Sequence, residues 1–467
     1  MLSAIIKGQA QQLLPRSDQS SSTTSQSPQA PKQQPPSQQQ TVQQPTAQRQ
    51  TGSSQRLTRD EAVRLALAQA SAFQTAHYAE LIAAEDVKLA RIAFLPKVTV
   101  PSTITYNSPT LGPVAPGTPG AERFSFISAN AVAEYQALVG AIGEIDVAGR
   151  LRAALRRSVA LLEAARAGTE IARRTLIQSV DDAYYGLALA TAKRIAAEQT
   201  LSATEEFARI TQLMLNAGEV AEVDLTRARL QVASRRDELE QARANELVAG
   251  GTLRVLVGYP FDSPIDVVDL ANEPPDRAAI DRFVVSGISN RPEFAQLDAE
   301  RRAAEQEAKA ARAERLPQVS YSINAGFDAE SLKPDPLHDH TGVLATFSLT
   351  IPVFDWGASK SREQQAKIRS QSIESERTLA VRNFNQQFYA ARAQAVAAAN
   401  RYQVLSASVV DAERNLQASI ARYRSGEAPI LEVTDAQTTL AAQRAALYQA
   451  IFEYQQARSR LLQVTTQ

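Results

Sequence analysis

A unit of two β-runs followed by two long helices occurs twice in this chain. Gly426 lies 208 residues after Gly218. Gly218-Glu219-Val220 before Asp224-Leu225-Thr226-Arg227-Ala228 is answered by Gly426-Glu427-Ala428 before Glu432-Val433-Thr434-Asp435-Ala436. The apolar seam that follows repeats in register, with Leu225, Ala228, Val232, Leu239, Ala242, Ala249 and Leu253 matching Val433, Ala436, Leu440, Leu447, Ala450, Ala457 and Leu461. A helix that is apolar only along a narrow 3-4 stripe cannot complete its packing alone, so a duplicated unit of this kind asks for neighbours. An assembly fits better than a globular enzyme.

The helices ahead of these turns are unusually long. Gly149 to Ala217 and Gly357 to Ser425 contain no proline, and the only internal glycines are Gly168 and Gly186. At 1.5 Å per residue each approaches about 100 Å, far beyond an ordinary domain helix. The helices that follow, about Val223 to Val257 and Leu431 to Val464, are half as long. Tyr184-Tyr185 align with Phe388-Tyr389 at an offset of 204 rather than 208. Four residues is about one helical turn, so such a stutter keeps the same face inward while altering the supercoil locally.

Among the 467 residues, 50 basic and 50 acidic side chains cancel, which gives no electrostatic reason to expect nucleic acid. The absence of cysteine excludes disulfides, thiolate metal sites and cysteine nucleophiles. No window supplies the roughly 18 to 20 apolar residues of a membrane-spanning helix, so bilayer contact would have to come through strands. Met1 to Leu14 is interrupted by Lys7 and a run of glutamine and does not read as a secretory signal. Residues 1–56, dominated beyond residue 15 by Gln, Ser, Pro and Thr, read as a disordered tail.

Order is expected from Thr58, which with Glu61 forms a capping box for a helix running to about Phe94, where Pro96 stops it. The period then changes to two. Val98, Val100, Ile104 and Tyr106 alternate with Lys97, Thr99, Thr103 and Asn107; a loop, Ser108 to Gly120, leads to a second extended stretch from about Arg123 to Glu134. The second copy reads more cleanly. Val319, Tyr321, Ile323, Ala325 and Phe327 form one face, the loop Ala329 to Thr341 follows, and Val343, Ala345, Phe347, Leu349 and Ile351 form one face of the return strand. Residues 57–257 are thus the first repeat, 258–290 a proline-containing inter-repeat equatorial segment, and 291–467 the second repeat opened by Arg291-Pro292-Glu293.

Four half-apolar strands of this length suit a tilted crossing of a bilayer, but four cannot close a barrel. A sheet in lipid tolerates no open edge, so strands from several chains must combine, and three chains would give twelve.

The chain resembles the outer membrane efflux proteins, the TolC family, from Leu57 to Leu462. The resemblance is carried by Leu57-Thr58-Arg59-Asp60-Glu61-Ala62, by Leu95-Pro96 and Leu316-Pro317, by Arg291-Pro292-Glu293, by Ile351-Pro352-Val353-Phe354-Asp355-Trp356-Gly357, and by the glycine turns. It implies a mainly α fold with transmembrane β: a homotrimer with a twelve-stranded β-barrel in the outer membrane on a twelve-helix periplasmic α-barrel. It further implies a passive exit channel of a tripartite efflux or type I secretion system, in contact with outer-membrane lipid, a periplasmic adaptor protein and an inner-membrane pump.

The resemblance also assigns residues. Glu432 and Asp435, three apart on one helical face, would line the periplasmic aperture as rings of carboxylates; an acidic helix start favoured by the dipole explains them equally. Asp224 and Tyr423 match two places of a gate latch, but Ala428 stands where the family's arginine would be, which leaves Arg227, Arg422 or Arg424 as substitutes. Gly218 and Gly426 would form adaptor-facing turns, or simple C-caps. Trp356 and Phe354 at the strand-to-helix joint suit either a membrane interface or core packing. His338-Asp339-His340 is a thin ligand set for a metal. No GxGxxG, P-loop, HExxH, GxSxG or CxxC pattern points to an enzyme or to a cofactor. Two other readings remain, a periplasmic coiled-coil adaptor, for which a lipoyl-like β-domain is missing, and an envelope scaffold without a pore.

Overall fold

The computed structural model describes residues 56–106, 133–329 and 331–465. The expected tail up to residue 55, the loop Ser108 to Gly120 and the stretch 123–132 lie outside the described residues.

Two 67-residue helices dominate, α3 (Arg150–Asn216) and α8 (Ala358–Arg424), occupying the two proline-free stretches. Each turns back into a 36-residue helix, α4 (Glu222–Val257) and α9 (Ile430–Thr465). The seam residues of α4 and α9 are buried or half-buried along their whole length. Along its other half each long helix packs against a shorter one that leads into the sheet, α2 (Ala72–Ile92) on α3, and α6 (Pro292–Ala313) on both α3 and α8. Ion pairs lace these contacts, among them Arg302 to Glu163 at 2.6 Å, Arg369 to Glu307 at 3.0 Å, Arg194 to Glu246 at 2.6 Å and Arg444 to Glu413 at 2.6 Å. Tyr184, Tyr185 and Phe388 are buried, so the four-residue offset keeps Tyr184 and its counterpart Phe388 inward, while Tyr389, unlike Tyr185, is turned out.

The helix expected from Thr58 to Phe94 is broken. Thr58 caps α1 (Arg59–Ala68), the chain passes through extended Gln69, and Ser71 starts α2. No proline or glycine marks the break. The Gln69 side chain instead lies against Gly258, the left-handed end of α4, where a Cβ would meet it at 2.3 Å. Tertiary contact therefore overrides local propensity. Between the helical halves, Leu270–Asn272, α5 (Arg277–Ile280) and Val285–Asn290 form short helical turns that bury Leu270, Ile280, Phe283 and Ile288 against α3, α8 and α9.

The strands make one antiparallel sheet. β1 (Lys97–Thr99) and β2 (Ser102–Tyr106) both pair with β3 (Ala133–Ile145), which pairs with β4 (Gln318–Ala329), which pairs with β5 (Thr341–Thr350). β1 and β2 are one run in one register, interrupted at Pro101, which accepts from Leu138 N–H at 3.0 Å and has no N–H to return. The expected second strand meets the described one at Ala133 and Glu134, but the strand runs on to Ile145 rather than ending there. The loop expected after Ala329 contains a short helix, α7 (Pro334–Asp339).

Register decides the faces. Val98, Ile104 and Tyr106 stand opposite Ala141, Tyr135 and Ala133; Ala141, Val139 and Tyr135 stand opposite Ile323, Ala325 and Ala329; Val319, Tyr321, Ile323 and Ala325 stand opposite Leu349, Phe347, Ala345 and Val343. Opposed residues share a face, so one surface of the sheet is almost wholly apolar. The other carries Lys97, Thr103, Gln136, Glu144, Gln318, Ser320, Ser322, Asn324, Asp328, Thr346 and Ser348, interspersed with Leu138, Ile142 and Leu344. Val98, Ile104, Tyr106, Val343, Phe347 and Leu349 are exposed in the single chain. Among the described strands, β5 and the β1–β2 run are the two edges of the sheet. No described helix is long and apolar enough to cross a membrane.

Candidate functional site at the helix turns

The α3–α4 and α8–α9 turns close in the same way. Gly218 (φ 76°) donates to Leu215 C=O at 2.9 Å and Glu219 to Met214 C=O at 2.9 Å; Gly426 (φ 75°) donates to Tyr423 C=O at 3.1 Å and Glu427 to Arg422 C=O at 2.9 Å. Both are Schellman caps, which satisfy the last carbonyls of a helix and need a left-handed residue that glycine adopts without penalty.

A small core joins the two hairpins behind these turns. Phe207 of α3, Ala228 of α4, Tyr423 of α8, and Ile430 and Val433 of α9 are buried together, with the Phe207 and Tyr423 rings 5.2 Å apart. Tyr423 is thus a packing residue. Burial pushes its hydroxyl pKa up, and the nearby Asp224 charge pushes it further the same way. The hydroxyl has no hydrogen-bond partner of good geometry, although it lies beside Thr211. In the single chain Tyr423 feels the Asp224 charge, but its hydroxyl makes no hydrogen bond to Asp224.

Of the substitute arginines only Arg227 approaches Asp224 in the single chain. Arg422 Nη1 donates to Glu432 Oε1 at 2.7 Å, Arg227 reaches Asp224 only at 3.9 Å, and the charge of Arg424 acts on Glu206 of α3, whose carboxyl is lowered chiefly by its bond from Arg209. Glu432 also accepts from Ser419 Oγ at 3.3 Å, so it is folded back onto α8. Asp435 is exposed and has no ion pair among the described residues. Although three residues apart, the two carboxylates differ in freedom: Glu432 is tied down and Asp435 is not. No three acidic or histidine side chains converge on a metal-sized site among the described residues, and His338 meets only Asp339, at 3.7 Å.

One bridging side chain was missed from sequence. Arg235 of α4 is 6 % exposed; it donates to both Glu238 oxygens at 2.8 and 2.7 Å and across to Thr438 Oγ1 of α9 at 2.8 Å. Its signal was present. Arg235 falls on the 3-4 seam between Val232 and Leu239, where a lone polar residue commonly fixes register. Beside Thr438, the Gln437 amide is buried with neither end bonded.

At mid-height a second polar cluster ties the N-terminal helix to the long ones. Arg59 donates through Nε and Nη2 to the two Asp181 oxygens at 2.7 and 2.8 Å, and Ser459 Oγ donates to Asp181 at 2.7 Å. The bond to Asp181 holds the Arg59 pKa above its ordinary value despite partial burial. These residues line a cleft of about 470 Å³ with Tyr184, Tyr185, Glu273 and Arg458.

The family model for outer membrane efflux proteins matches residues 62–259 and 285–467. The chain belongs to the outer membrane efflux protein family. It is 28 % identical over 246 residues to the probable efflux pump outer membrane protein TtgC of Pseudomonas putida, covering 50 % of this chain and 49 % of that one, so it spans about half the length of that relative. It is 27 % identical over 339 residues to the pyoverdine export outer membrane protein OpmQ of Pseudomonas putida, covering 71 % and 68 %. The solved outer-membrane channel OprN matches the fold with TM-score 0.74 at 21 % identity, covering 87 % of this chain and 89 % of that one. The arrangement of sheet, long helices and capped turns is therefore that of an outer membrane efflux protein.

Proposed function

We propose that this chain is the outer-membrane exit channel of a tripartite efflux or type I secretion system, working as a homotrimer of duplicated units. The observation that carries the reading is the sheet, which has one continuous apolar face, one mainly polar face and, among the described strands, an unpaired strand at each edge. Such a sheet in lipid would leave a row of unsatisfied N–H and C=O groups along β5 and along β1–β2, each costing several kcal/mol, about 1–3 even by protein mutational measures. Pairing the β5 edge of one copy with the β1–β2 edge of the next removes both rows. Three copies close a twelve-stranded barrel with its apolar face to lipid and its polar face to water, and α3, α4, α8 and α9 continue it as a periplasmic helical tunnel.

Transport in this reading is passive. The lumen face offers hydroxyls, amides and a few charges, and no residue constellation suited to bond making. A periplasmic adaptor meets the capped turns at Gly218 and Gly426, and an inner-membrane pump supplies both energy and selectivity. Asp435 is the carboxylate that rings the aperture; Glu432, held by Arg422, stiffens the turn behind it. The purified full-length protein in a planar bilayer should give stepwise ion conductance and run as a trimer in mild detergent. A scaffold or an adaptor would give neither, and absence of conductance from a protein that inserts would overturn the reading.

A further inference from the structure

The mid-height cleft of about 470 Å³ is only partly used by the fold. Arg59, Asp181 and Ser459 satisfy one another on its wall. The Tyr184 hydroxyl is used twice, donating to Leu57 C=O at 3.0 Å and accepting from Val268 N–H at 3.2 Å. Its neighbour in sequence is not used. Tyr185 is 7 % exposed, its ring meets that of Tyr184 edge-on at 5.4 Å, and it lines the cleft with a hydroxyl that makes no hydrogen bond among the described residues. A polar group is rarely buried without a partner, so this phenol asks for one from the cleft.

Two charges in the same cleft are also unspent. Arg458 of α9 and Glu273 of the inter-repeat segment line it, and neither has an ion pair among the described residues. Between them stands the Gln455 amide, 3 % exposed, whose Nε2 donates to Glu273 C=O at 3.3 Å and reaches the Glu273 carboxylate only at 3.5 Å, while its Oε1 accepts from Arg458 Nη1 at 3.5 Å. Bonds this long leave both charges largely unsatisfied. Burial, and after it the Glu273 charge, pushes the Tyr185 hydroxyl up to about 12, with Arg59 and Arg458 acting the other way. The phenol therefore lies in the field of both unspent charges and stays protonated, able to donate to an anion and to accept from a cation. Leu57, Val268 and Leu462 supply apolar wall, and the volume is that of a small-molecule site. A lone anion would leave Glu273 facing it, and a lone cation would face Arg458. A neutral apolar molecule would desolvate all three polar groups without replacing their water. Only a ligand with both charges and an apolar part satisfies the whole cleft. Assembly would leave it open, because the lower helices pack in the order α4, α3, α9, α8, so copies in the proposed trimer would meet at α4 and α8 and not at the inner pair that carries the cleft.

We propose that this cleft binds a small zwitterion of the amino-acid or short-peptide class, with its carboxylate at Arg458 and the Tyr185 hydroxyl, its ammonium at Glu273 and its side chain against Leu57, Val268 and Leu462. The site is built within one chain and goes beyond the channel reading, so it stands or falls separately from conductance. The full-length protein in mild detergent is titrated calorimetrically with the dipeptide glycyl-leucine, with its N-acetylated form, which lacks the ammonium, and with its C-terminal amide, which lacks the carboxylate. Saturable binding of one glycyl-leucine per chain is expected, with each blocked form weaker by about tenfold or more because each loses a hydrogen-bonded charge. The variants then assign each end of the ligand. Arg458→Gln should abolish the difference between the dipeptide and its amide, and Glu273→Gln the difference between the dipeptide and its acetylated form. Tyr185→Phe, which keeps the ring, should weaken glycyl-leucine without abolishing either difference. The three ligands on the unaltered protein decide the matter even where a variant fails to fold. No saturable binding of glycyl-leucine, or equal binding of all three forms, would overturn the proposal, and so would charge discrimination that Arg458→Gln and Glu273→Gln both leave intact in a folded trimer.

Discussion

Tyr423 separates two ideas of how the helix turns stay closed. As a latch its hydroxyl would hold Asp224; in the structure the ring packs on Phe207 and the hydroxyl is buried without a well-formed bond. Removing an unsatisfied buried hydroxyl costs little and can even stabilise, so Tyr423→Phe should leave both conductance and unfolding midpoint within experimental error of wild type. A large rise in conductance would restore the latch. Asp181 behaves in the opposite way. Its side chain is 3 % exposed and depends on Arg59 and Ser459; Arg59→Ala leaves it buried with Ser459 as its remaining partner. Breaking a buried pair from one side costs about 3–5 kcal/mol, and the partial exposure of Arg59 puts this case at the lower end. Chemical denaturation of the purified protein should show the loss as a lower midpoint with an unchanged slope. Neither role was legible in the sequence. Tyr423 looked like a latch because its position matched a family motif, and Asp181 lies on a helix whose polar residues outnumber its seam, so only the fold shows which of them points inward.

Long helices are the elements a sequence announces best. Helical stretches of 67 residues without proline, interrupted only by Gly168 and Gly186 in α3, leave α3 and α8 little alternative. β3 is the contrary case. Gly140 and Gly143 remove side chains from both faces and weaken its alternation, and the structure fills the gaps from β4, with Asn324 over Gly140 and the Tyr321 ring over Gly143. That partnership exists only after pairing, so the end of the strand was placed too early in the chain. The break between α1 and α2 was equally silent, because its cause, Gly258, is nearly two hundred residues away. Joints between elements carry a prediction of their own. Asp355 is held at a pKa of about 2 by the Ser359 hydroxyl, then by the Ser359 and Gly357 amides, against an ordinary value near 3.9. A depressed carboxylate stabilises the folded form fully above its unfolded pKa and loses that contribution as pH falls through the folded one. The start of α8 should therefore hold from neutral pH down to about 4 and loosen between about 4 and 2. Hydrogen exchange at Gly357 and Ser359 should speed up across that window, and Asp355→Asn should abolish the pH dependence while leaving exchange elsewhere unchanged. Acceleration beginning well above pH 4 would assign the effect to another group.

In the proposed trimer, symmetry would turn single carboxylates into rings, and the two candidates at the α9 start should then part company. Asp435 is exposed and unpaired among the described residues, so in a trimer its three copies would add their fields at the narrow end of the tunnel and attract cations. Glu432 spends its charge on Arg422 and its second bond on Ser419, so it contributes stiffness rather than field. Asp435→Asn should therefore reduce cation selectivity and weaken block by di- and trivalent cations from the periplasmic side, with the effect fading as salt screens the ring over a Debye length of about 10 Å at 0.1 M. Open-channel lifetime should not change. Glu432→Gln should do the reverse: selectivity stays, while release of Arg422 loosens the α8–α9 turn and lengthens openings. Salt again separates the two, since a fixed-charge ring loses its influence at 1 M and a loosened turn does not. If both substitutions alter selectivity equally, the carboxylates act as one cluster at the mouth, and the Arg422 bond seen in the single chain must exchange for contacts between copies when the trimer forms.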